Sequence, residues 1–550
     1  MRSLPLLPLL LAAAPAVPQT APAISVETLK TVTRELSSDG YEGRAPTGPA
    51  EAKTVAYIVE RFRAAGLTAG NGASWTQDVP LVEIATREVR PLVFGGGPNG
   101  RGGGPVSLSY RTDMVATTYR VVPHVDIENS PVVFVGYGIT APEKGWDDYA
   151  GVDVRGKTVV ILVNDPDWRS TSREGPFEGR AMTWYGRWPY KYENAAKHGA
   201  AAAIIVHDTE PAAYPWAVVQ SSWTGPQHEL DEPGDHADQS AMIGWMQKDA
   251  ARRVLAAGGQ DLAALSEAAG RKGFRAVPLG GLTMSGGFAT DIRRQASKNV
   301  VGVLPGTSAP DDYVLYTAHW DHLGHCDAVK GDTICNGALD NASGVAGLVA
   351  LAEAQGRAGP AKRSILFMAV TAEESGLLGS RWYAEHPLHP LGHTVGGVNM
   401  DVLNVNGRAR DVVLTGAGKS EVEDLFRPLV AAQGRRISPE PNPERGGYYR
   451  SDHFSFAKLG VPMLAAGSGE DLVNGGTVAG HAAGEDYNQH RYHKPQDEFD
   501  PRWDWSGAVE DLTLYYRLGR RLADDTNLWP KWYRAAEFRA IRDRSRAGAR

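Results

Sequence analysis

Apolar runs and amphipathic stretches alternate along this chain, and their texture changes twice. Residues 26–36 carry apolar side chains at helical spacing, turn residues from 38 to 46 interrupt them, and a longer amphipathic helix is expected over 50–65, ended by Gly66. Residues 75–81 and 86–94 read as strands, and the glycine-rich run 95–104 as a flexible loop. From about residue 125 the runs shorten: strands at 132–138, 156–163 and 202–206, a helix through 192–198, a helix over 250–269 and a strand over 274–282. That stretch is expected to be a compact β-rich insertion of about 160 residues, an ordinary domain size. After a strand and turn at 297–306, continuous apolar strands at 313–318, 364–371, 397–401 and 461–466 alternate with helical patterns at 342–355, 376–385 and 419–433. Such alternation predicts an α/β fold with a mostly parallel, mixed central sheet flanked by helices. A helix over 505–524 closes it, and the Trp- and Arg-rich end is expected to be a surface helix or a frayed tail. The expected organisation is a leader at 1–23, a discontinuous α/β domain at 24–124 and 288–525, the insertion at 125–287 and a tail at 526–550.

Composition narrows the setting. A chain of 550 residues is too long for one ordinary core. With 57 Lys+Arg against 64 Asp+Glu and no long basic block before the C-terminus, nucleic acid is not an expected partner. Arg2, the apolar segment 4–14 and the small-residue sites Ala14-Pro15-Ala16 and Ala21-Pro22-Ala23 make a secretory signal peptide, so the protein is expected to be exported, to the periplasm or outside the cell. The segment is too short to span a bilayer, no later run reaches that length, and the leader has no Cys for a lipid anchor. Cys326 and Cys335 are the only cysteines. In an exported protein they read as a disulfide, with a pair of reduced thiols as the alternative; their spacing matches no thiolate zinc site.

The polar residues that could do chemistry sit just beyond the apolar strands. His319-Trp320-Asp321-His322 follows 313–318, Glu373-Glu374 follows 364–371, and Asp401 ends 397–401. All these groups therefore gather at one edge of the sheet, where α/β enzymes keep their sites. A pair of metal ions about 3.5–4 Å apart needs a bridging carboxylate, a terminal carboxylate and an imidazole for each ion, and a free carboxylate to move protons. His319 and Asp401 suit one ion, Glu374 and His493 the other, and Asp340 the bridge; Glu373 is then the general base. Asp321, on the same side of an extended chain as His319, could accept the other imidazole proton. Singly, each is more often structural: a strand-end His is usually a hydrogen-bonding residue and paired glutamates usually begin a solvated helix. His386, His389, His393 and His490 stay under that reading.

The segments His319-Trp320-Asp321-His322, Asn336 to Gly344, Thr371 to Ser380, Asn399-Met400-Asp401 and Tyr492 to Glu498 resemble, in order, the motifs of the di-zinc exopeptidase family, which includes secreted bacterial leucyl aminopeptidases, glutamate carboxypeptidase and the transferrin receptor. The resemblance covers about residues 26–124 and 288–524. It implies zinc on His319, Asp401, Glu374 and His493, with Asp340 bridging and Glu373 as base; the ligand chemistry also accepts manganese or cobalt. Residues 148–157 resemble the protease-associated domain inserted in several exported peptidases, with a lid or spacer as the plainer reading. Arg450-Ser451-Asp452-His453 is similar to a family segment near the substrate; Arg450 there could stabilise an oxyanion, or belong to a surface salt bridge. Tyr448 and Tyr449 are possible pocket residues, and nothing in the sequence decides whether His322 faces substrate.

The expected function is an exported aminopeptidase acting on peptides. A carboxypeptidase of the same fold is the alternative, since the sequence does not show whether cationic or acidic groups line the pocket. A receptor that has lost catalysis should have lost ligands, and none is missing. No G-x-S-x-G elbow or H-E-x-x-H is present, and Val413 stands where a P-loop ending at Gly418-Lys419-Ser420 needs its first glycine.

Overall fold

A computed structural model describes residues 22–96, 104–534 and 536–548. Almost all of the expected leader and most of the glycine run at 95–104 lie outside the described residues. Four parallel strands form the centre of a large mixed sheet, side by side in the order Met463–Ser468, Thr394–Asn399, Ala309–His319 and Arg363–Val370. Thr394–Asn399 and Arg363–Val370 are buried throughout, as apolar runs covered on both faces should be. Antiparallel strands flank them: Asp411–Leu414 on one side, Val277–Leu304 and then Thr76–Arg87 on the other. The sheet is thus mixed and largely parallel at its centre, as the alternation predicts.

Helices cover both faces. Gly344–Arg357 is apolar nearly all round and is buried from Gly344 to Ala352, so it forms the middle of the core and not a surface layer. Val26–Leu36 packs on it through Leu29, Val32 and Leu36, each burial worth about 1.5–3 kcal/mol, and Ser25 caps that helix by accepting from Thr28 N at 3.1 Å. Ser506–Asp524 packs on the same helix and on the central strands. The expected helix over 250–269 is two, Lys248–Ala257 and Leu262–Ala269, because Gly258-Gly259 ends the first. Gly476–His490 was not legible: it buries no side chain, so it has no apolar stripe to detect. Among the described residues no helix is long and apolar enough to cross a membrane.

The β-rich unit differs from expectation in how it is joined. The expected strands at 274–282 and 297–306 are parts of one 28-residue strand, Val277–Leu304. Its first half pairs with His124–Phe134 and Leu92–Gly96, and its second half with Thr76–Arg87 and Arg363–Val370. Beyond His124–Phe134 lie Thr158–Leu162, Ala202–His207 and Met242–Gln247 in parallel, with Met114–Thr117 antiparallel at the edge. Leu92, Phe94, Leu108 and Met114 share a core with Val132, Val160 and Ile204, so strands ahead of residue 125 pack into this unit. The same core takes Tyr449, Phe454, Trp532 and Phe538. The C-terminal stretch is therefore docked, not frayed: Trp532 Nε1 donates to Gly460 O at 2.8 Å, and the buried Arg542 donates to Thr394 O at 2.8 Å.

Candidate metal centre

Strand register brings the polar groups together. His319 ends its strand directly opposite Val370, and Thr317 lies opposite Asn399, so His319, Glu373-Glu374 and Asp401 emerge at one level of the carboxyl edge. Asp340 and His493 arrive on loops. Asp340 follows a turn in which Gly337 has φ +54°; a Cβ there would stand 2.3 Å from Asp340 O and 2.6 Å from the His322 ring, so only glycine fits. His493, at φ +57°, is stacked on Tyr492 with ring centroids 3.9 Å apart.

The two carboxylate oxygens of Asp340 face different imidazoles. Oδ1 lies 3.4 Å from His319 Nε2, and Oδ2 lies 3.4 Å from His493 Nε2. Asp401 Oδ1 is 3.4 Å from His319 Nε2, and Glu374 Oε2 is 3.0 Å from His493 Nε2. Ligand atoms held 2.0–2.2 Å from a tetrahedral ion stand about 3.4 Å from each other, so these separations are the edges such an ion would impose. His493 Nε2 is buried and makes no hydrogen bond of acceptable geometry despite both carboxylates, which also fits a cation between them. His319 Nδ1 donates to the backbone carbonyl of Asp321 at 3.2 Å, leaving the lone pair on Nε2. The donor set therefore fits divalent metal on nitrogen and oxygen. His322, left open by the sequence, is buried and its Nδ1 donates to Glu374 Oε1 at 2.7 Å; His322, Asp340 and Glu374 form a second candidate group, with ligand atoms within 4.8 Å of one another.

Residues behind these groups fix them. Asp497 accepts from Leu339 N at 3.1 Å and Asp340 N at 3.0 Å. Arg44, 1 % exposed, donates to the carbonyls of Trp320, Leu36, Asn336 and Gly337, tying the His319 and Asp340 loops together. Thr317 Oγ1 donates to Asn399 Oδ1, Asn399 Nδ2 to Ser451 Oγ, and Ser451 Oγ to Asp401 Oδ2, each at 2.7 Å. Asp321 sits differently from expectation. Its carboxylate is 3.8 Å from His319 Nδ1, because it accepts from the backbone N–H groups of Glu373 at 3.1 Å and Glu374 at 3.4 Å, in the turn opened by Ala372 at φ +53°. Its backbone carbonyl, not its side chain, takes the imidazole proton.

Charge in the cluster is lopsided. Burial pushes the Glu373 carboxyl well above the usual carboxylate range; His319 opposes this, and Asp401 and Glu374 add to it. Burial works against the His493 imidazolium, but Glu374 and Asp340 raise it to about 10. Burial also raises Asp321 to about 7, against the pull of His319. The carboxylates outnumber the cations beside them, and a divalent ion is the counter-charge that would restore balance.

The group opens on a cleft of about 2640 Å³ between the central sheet and the β-rich unit. Glu373 and Asp401 line it, as do Arg450 and, from the β-rich unit, Trp184, Arg187 and Tyr214. Tyr448 is buried, donating to Met463 O at 3.3 Å, and Tyr449 lines the cleft. Sequence reasoning missed Arg44, Asn399, Ser451 and Asp497 as supports. Arg44 was hidden in a turn read only as a helix break, whereas Asp497, in the stretch after His493 without strand or helix periodicity, carried a usable signal. The cysteine pair is a disulfide, Cα–Cα 5.9 Å, in a hairpin of Gly324–Val329 and Asp332–Cys335.

Comparison with known proteins agrees with the resemblance. Residues 299–517 match peptidase family M28. Aminopeptidase NAALADL1 of Mus musculus is 35% identical over 117 residues, 20% of this chain and 14% of that protein, so the chain spans only a small part of the length of the relatives it matches. A probable zinc metalloprotease of Pyrenophora teres f. teres (strain 0-1) is 33% identical over 112 residues, 20% of this chain and 23% of that protein. Among solved structures, an aminopeptidase from Aneurinibacillus sp. strain AM-1 aligns at TM-score 0.49 with 21% identity, covering 91% of this chain and 94% of that one. BSAP, a zinc aminopeptidase from Bacillus subtilis, aligns at 0.41 with 16% identity, covering 91% and 98%.

Proposed function

We propose that this chain, matched over residues 299–517 to peptidase family M28, is an exported zinc aminopeptidase that removes N-terminal residues from peptides. The observation that carries this reading is Asp340, whose two oxygens each stand 3.4 Å from a different imidazole, with Asp401 and Glu374 completing the two sides. His319 and Asp401 would hold one ion and Glu374 and His493 the other, with Asp340 shared between them; manganese or cobalt would also suit these ligands. Two such cations would supply Lewis acidity and lower the pKa of water beside the scissile carbonyl.

The chain's own residues do the rest. Glu373, whose carboxylate accepts no hydrogen bond among the described residues, takes the proton of the attacking water and passes it to the leaving amine. The acidic groups lining the cleft receive the substrate's free ammonium group. The apolar N-terminal segment and the disulfide support export, and the β-rich unit is the protease-associated insertion, walling one side of the cleft.

Metal analysis with a leucyl-anilide assay tests the reading. We expect two metals per chain at saturation, turnover of the anilide, and a loss of about 10²–10⁴-fold in Glu373→Gln with both metals retained. Fewer than two metals at saturation, or full turnover in that variant, would sink it.

A further inference from the structure

One wall of the cleft is held from behind by the C-terminal stretch. Tyr449 lines the cleft with Trp184 and Phe454, whose ring centroids stand 6.2 Å and 5.3 Å from its own, and those two rings are 4.6 Å apart. All three side chains are buried. Little of each ring therefore reaches the cleft, and where that little sits depends on what fixes the rings at the back. Tyr449 also stands two residues before Ser451, whose Oγ donates to Asp401 Oδ2 at 2.7 Å, so its backbone is tied to the metal centre.

The Tyr449 hydroxyl is caught between two charges. Lys419 Nζ donates to it at 2.8 Å, and it donates to Glu537 Oε1 at 2.8 Å. The Lys419 ammonium closes the triangle, 3.4 Å from the same carboxylate oxygen, and lies 5.1 Å from the Tyr449 ring centroid. Burial, and then Glu537, raises the Tyr449 phenol well above its ordinary value, so it stays a donor. Burial works against the Glu537 carboxylate, but Lys419 outweighs it and keeps the carboxyl below its usual range. Lys419 and Glu537 themselves lie outside the described lining of the cleft.

Glu537 lies beyond residues 299–517, and the stretch that carries it is seated by other contacts. Tyr533 N donates to Lys419 O at 2.8 Å and Lys531 N to Glu421 Oε2 at 2.9 Å, while the Phe538 ring packs 5.2 Å from Trp532 and 6.0 Å from Phe454. Docking alone does not call for a buried charge pair, which costs desolvation. What the pair adds is direction, because two charge-assisted hydrogen bonds fix a hydroxyl more narrowly than packing does.

We propose that Glu537 is a positioning residue for the substrate: with Lys419 it sets the Tyr449 ring in the cleft wall, so the C-terminal stretch helps decide how tightly a peptide binds. Tyr449 touches the peptide, and Lys419 and Glu537 act through it. This rests on the peptidase reading above and adds to it a part of the substrate site that lies outside the matched residues.

The test is a double-mutant cycle of Tyr449→Phe and Glu537→Ala on the peptide Leu-Leu-Leu. It takes kcat and KM from zinc-loaded enzyme, and binding by calorimetry from the same chains carrying Glu373→Gln. Each single variant should raise KM and the dissociation constant about 3- to 10-fold, with kcat and zinc content at the parent level. The double variant should be no worse than the worse single, and Glu537→Gln, which keeps an acceptor, should recover most of the loss. Tyr449→Phe keeps both the ring and the charge pair, so it stays readable even where Glu537→Ala lowers the melting temperature. Unchanged affinity in Tyr449→Phe, or effects that multiply in the double variant, overturn the proposal. A loss in Glu537→Ala confined to kcat or to zinc content does the same. N-acetyl-Leu-Leu-Leu separates this role from the function: if only the blocked peptide is bound and cleaved, the aminopeptidase reading fails, and the same cycle on that peptide decides the role of Glu537.

Discussion

At the scale of single residues, the centre depends on groups that never touch an ion. Asp497 accepts from the backbone N–H groups of Leu339 and Asp340, and so sets where the Asp340 carboxylate points. Asp497→Ala should weaken zinc binding by about 10- to 100-fold, read by competition with a chelator, while the fold is kept. His453 gives a pH prediction that does not involve the metals. It is 1 % exposed, and burial pushes its imidazole down from 6.5 to about 4, only weakly opposed by the Tyr448 backbone. The folded protein keeps His453 neutral where the unfolded chain would protonate it. The stability this group supports is complete above pH 6.5 and is lost as the pH falls toward 4, by about 3 kcal/mol at most. Urea denaturation at pH 7 and pH 4.5 should show a smaller drop for His453→Phe than for the parent chain; an identical drop would remove His453 as the cause.

At the scale of elements, the hairpin closed by Cys326 and Cys335 sits between His319 and Asp340. A Cβ on Gly43 would fall 2.4 Å from Gly324 O and 2.6 Å from Cys335 O, so the hairpin is pressed onto the turn that carries Arg44. Arg44 in turn grips the carbonyls of Asn336 and Gly337, just after the hairpin. Opening the disulfide should therefore loosen the approach to Asp340 as well as destabilise the chain. A loop this short predicts a cost of about 2–3 kcal/mol. Cys326→Ser together with Cys335→Ser should unfold at lower urea and release zinc to a chelator more readily; unchanged zinc affinity would confine the disulfide to stability alone.

At the scale of the whole molecule, the long strand Val277–Leu304 and a shared apolar core join the β-rich unit to the central sheet. Trp184 sits at that junction, 4.6 Å from the Phe454 ring and 6.2 Å from Tyr449, with the Lys458 ammonium 5.0 Å above it and Lys458 bonded to Glu193 at 2.7 Å. A core so shared should unfold as one unit, giving a single calorimetric transition. Trp184→Ala, which empties the junction, should cost about 3–5 kcal/mol and raise KM through the misplaced Arg187 side of the cleft. Two separate transitions in the parent chain would show that the units are stable independently.

The alternation of apolar runs with helical stretches determined the mixed α/β sheet. Polar residues placed just past each run determined that His319, Glu373, Glu374 and Asp401 meet at one edge, because strand direction and a side-chain period of two are local properties. The residues on loops were a different matter. The facing of the two Asp340 oxygens and the turn of His493 toward them depend on Gly337, Arg44 and Asp497, which lie far apart in sequence and act through backbone hydrogen bonds that no periodicity records. The carboxylate of Asp321 bonds to the Glu373 and Glu374 N–H groups, and Arg187 lies in a cleft with Arg450, only because long-range strand pairing closes the chain on itself. Local pattern fixed which residues reach the edge; tertiary packing decided which of their atoms face one another.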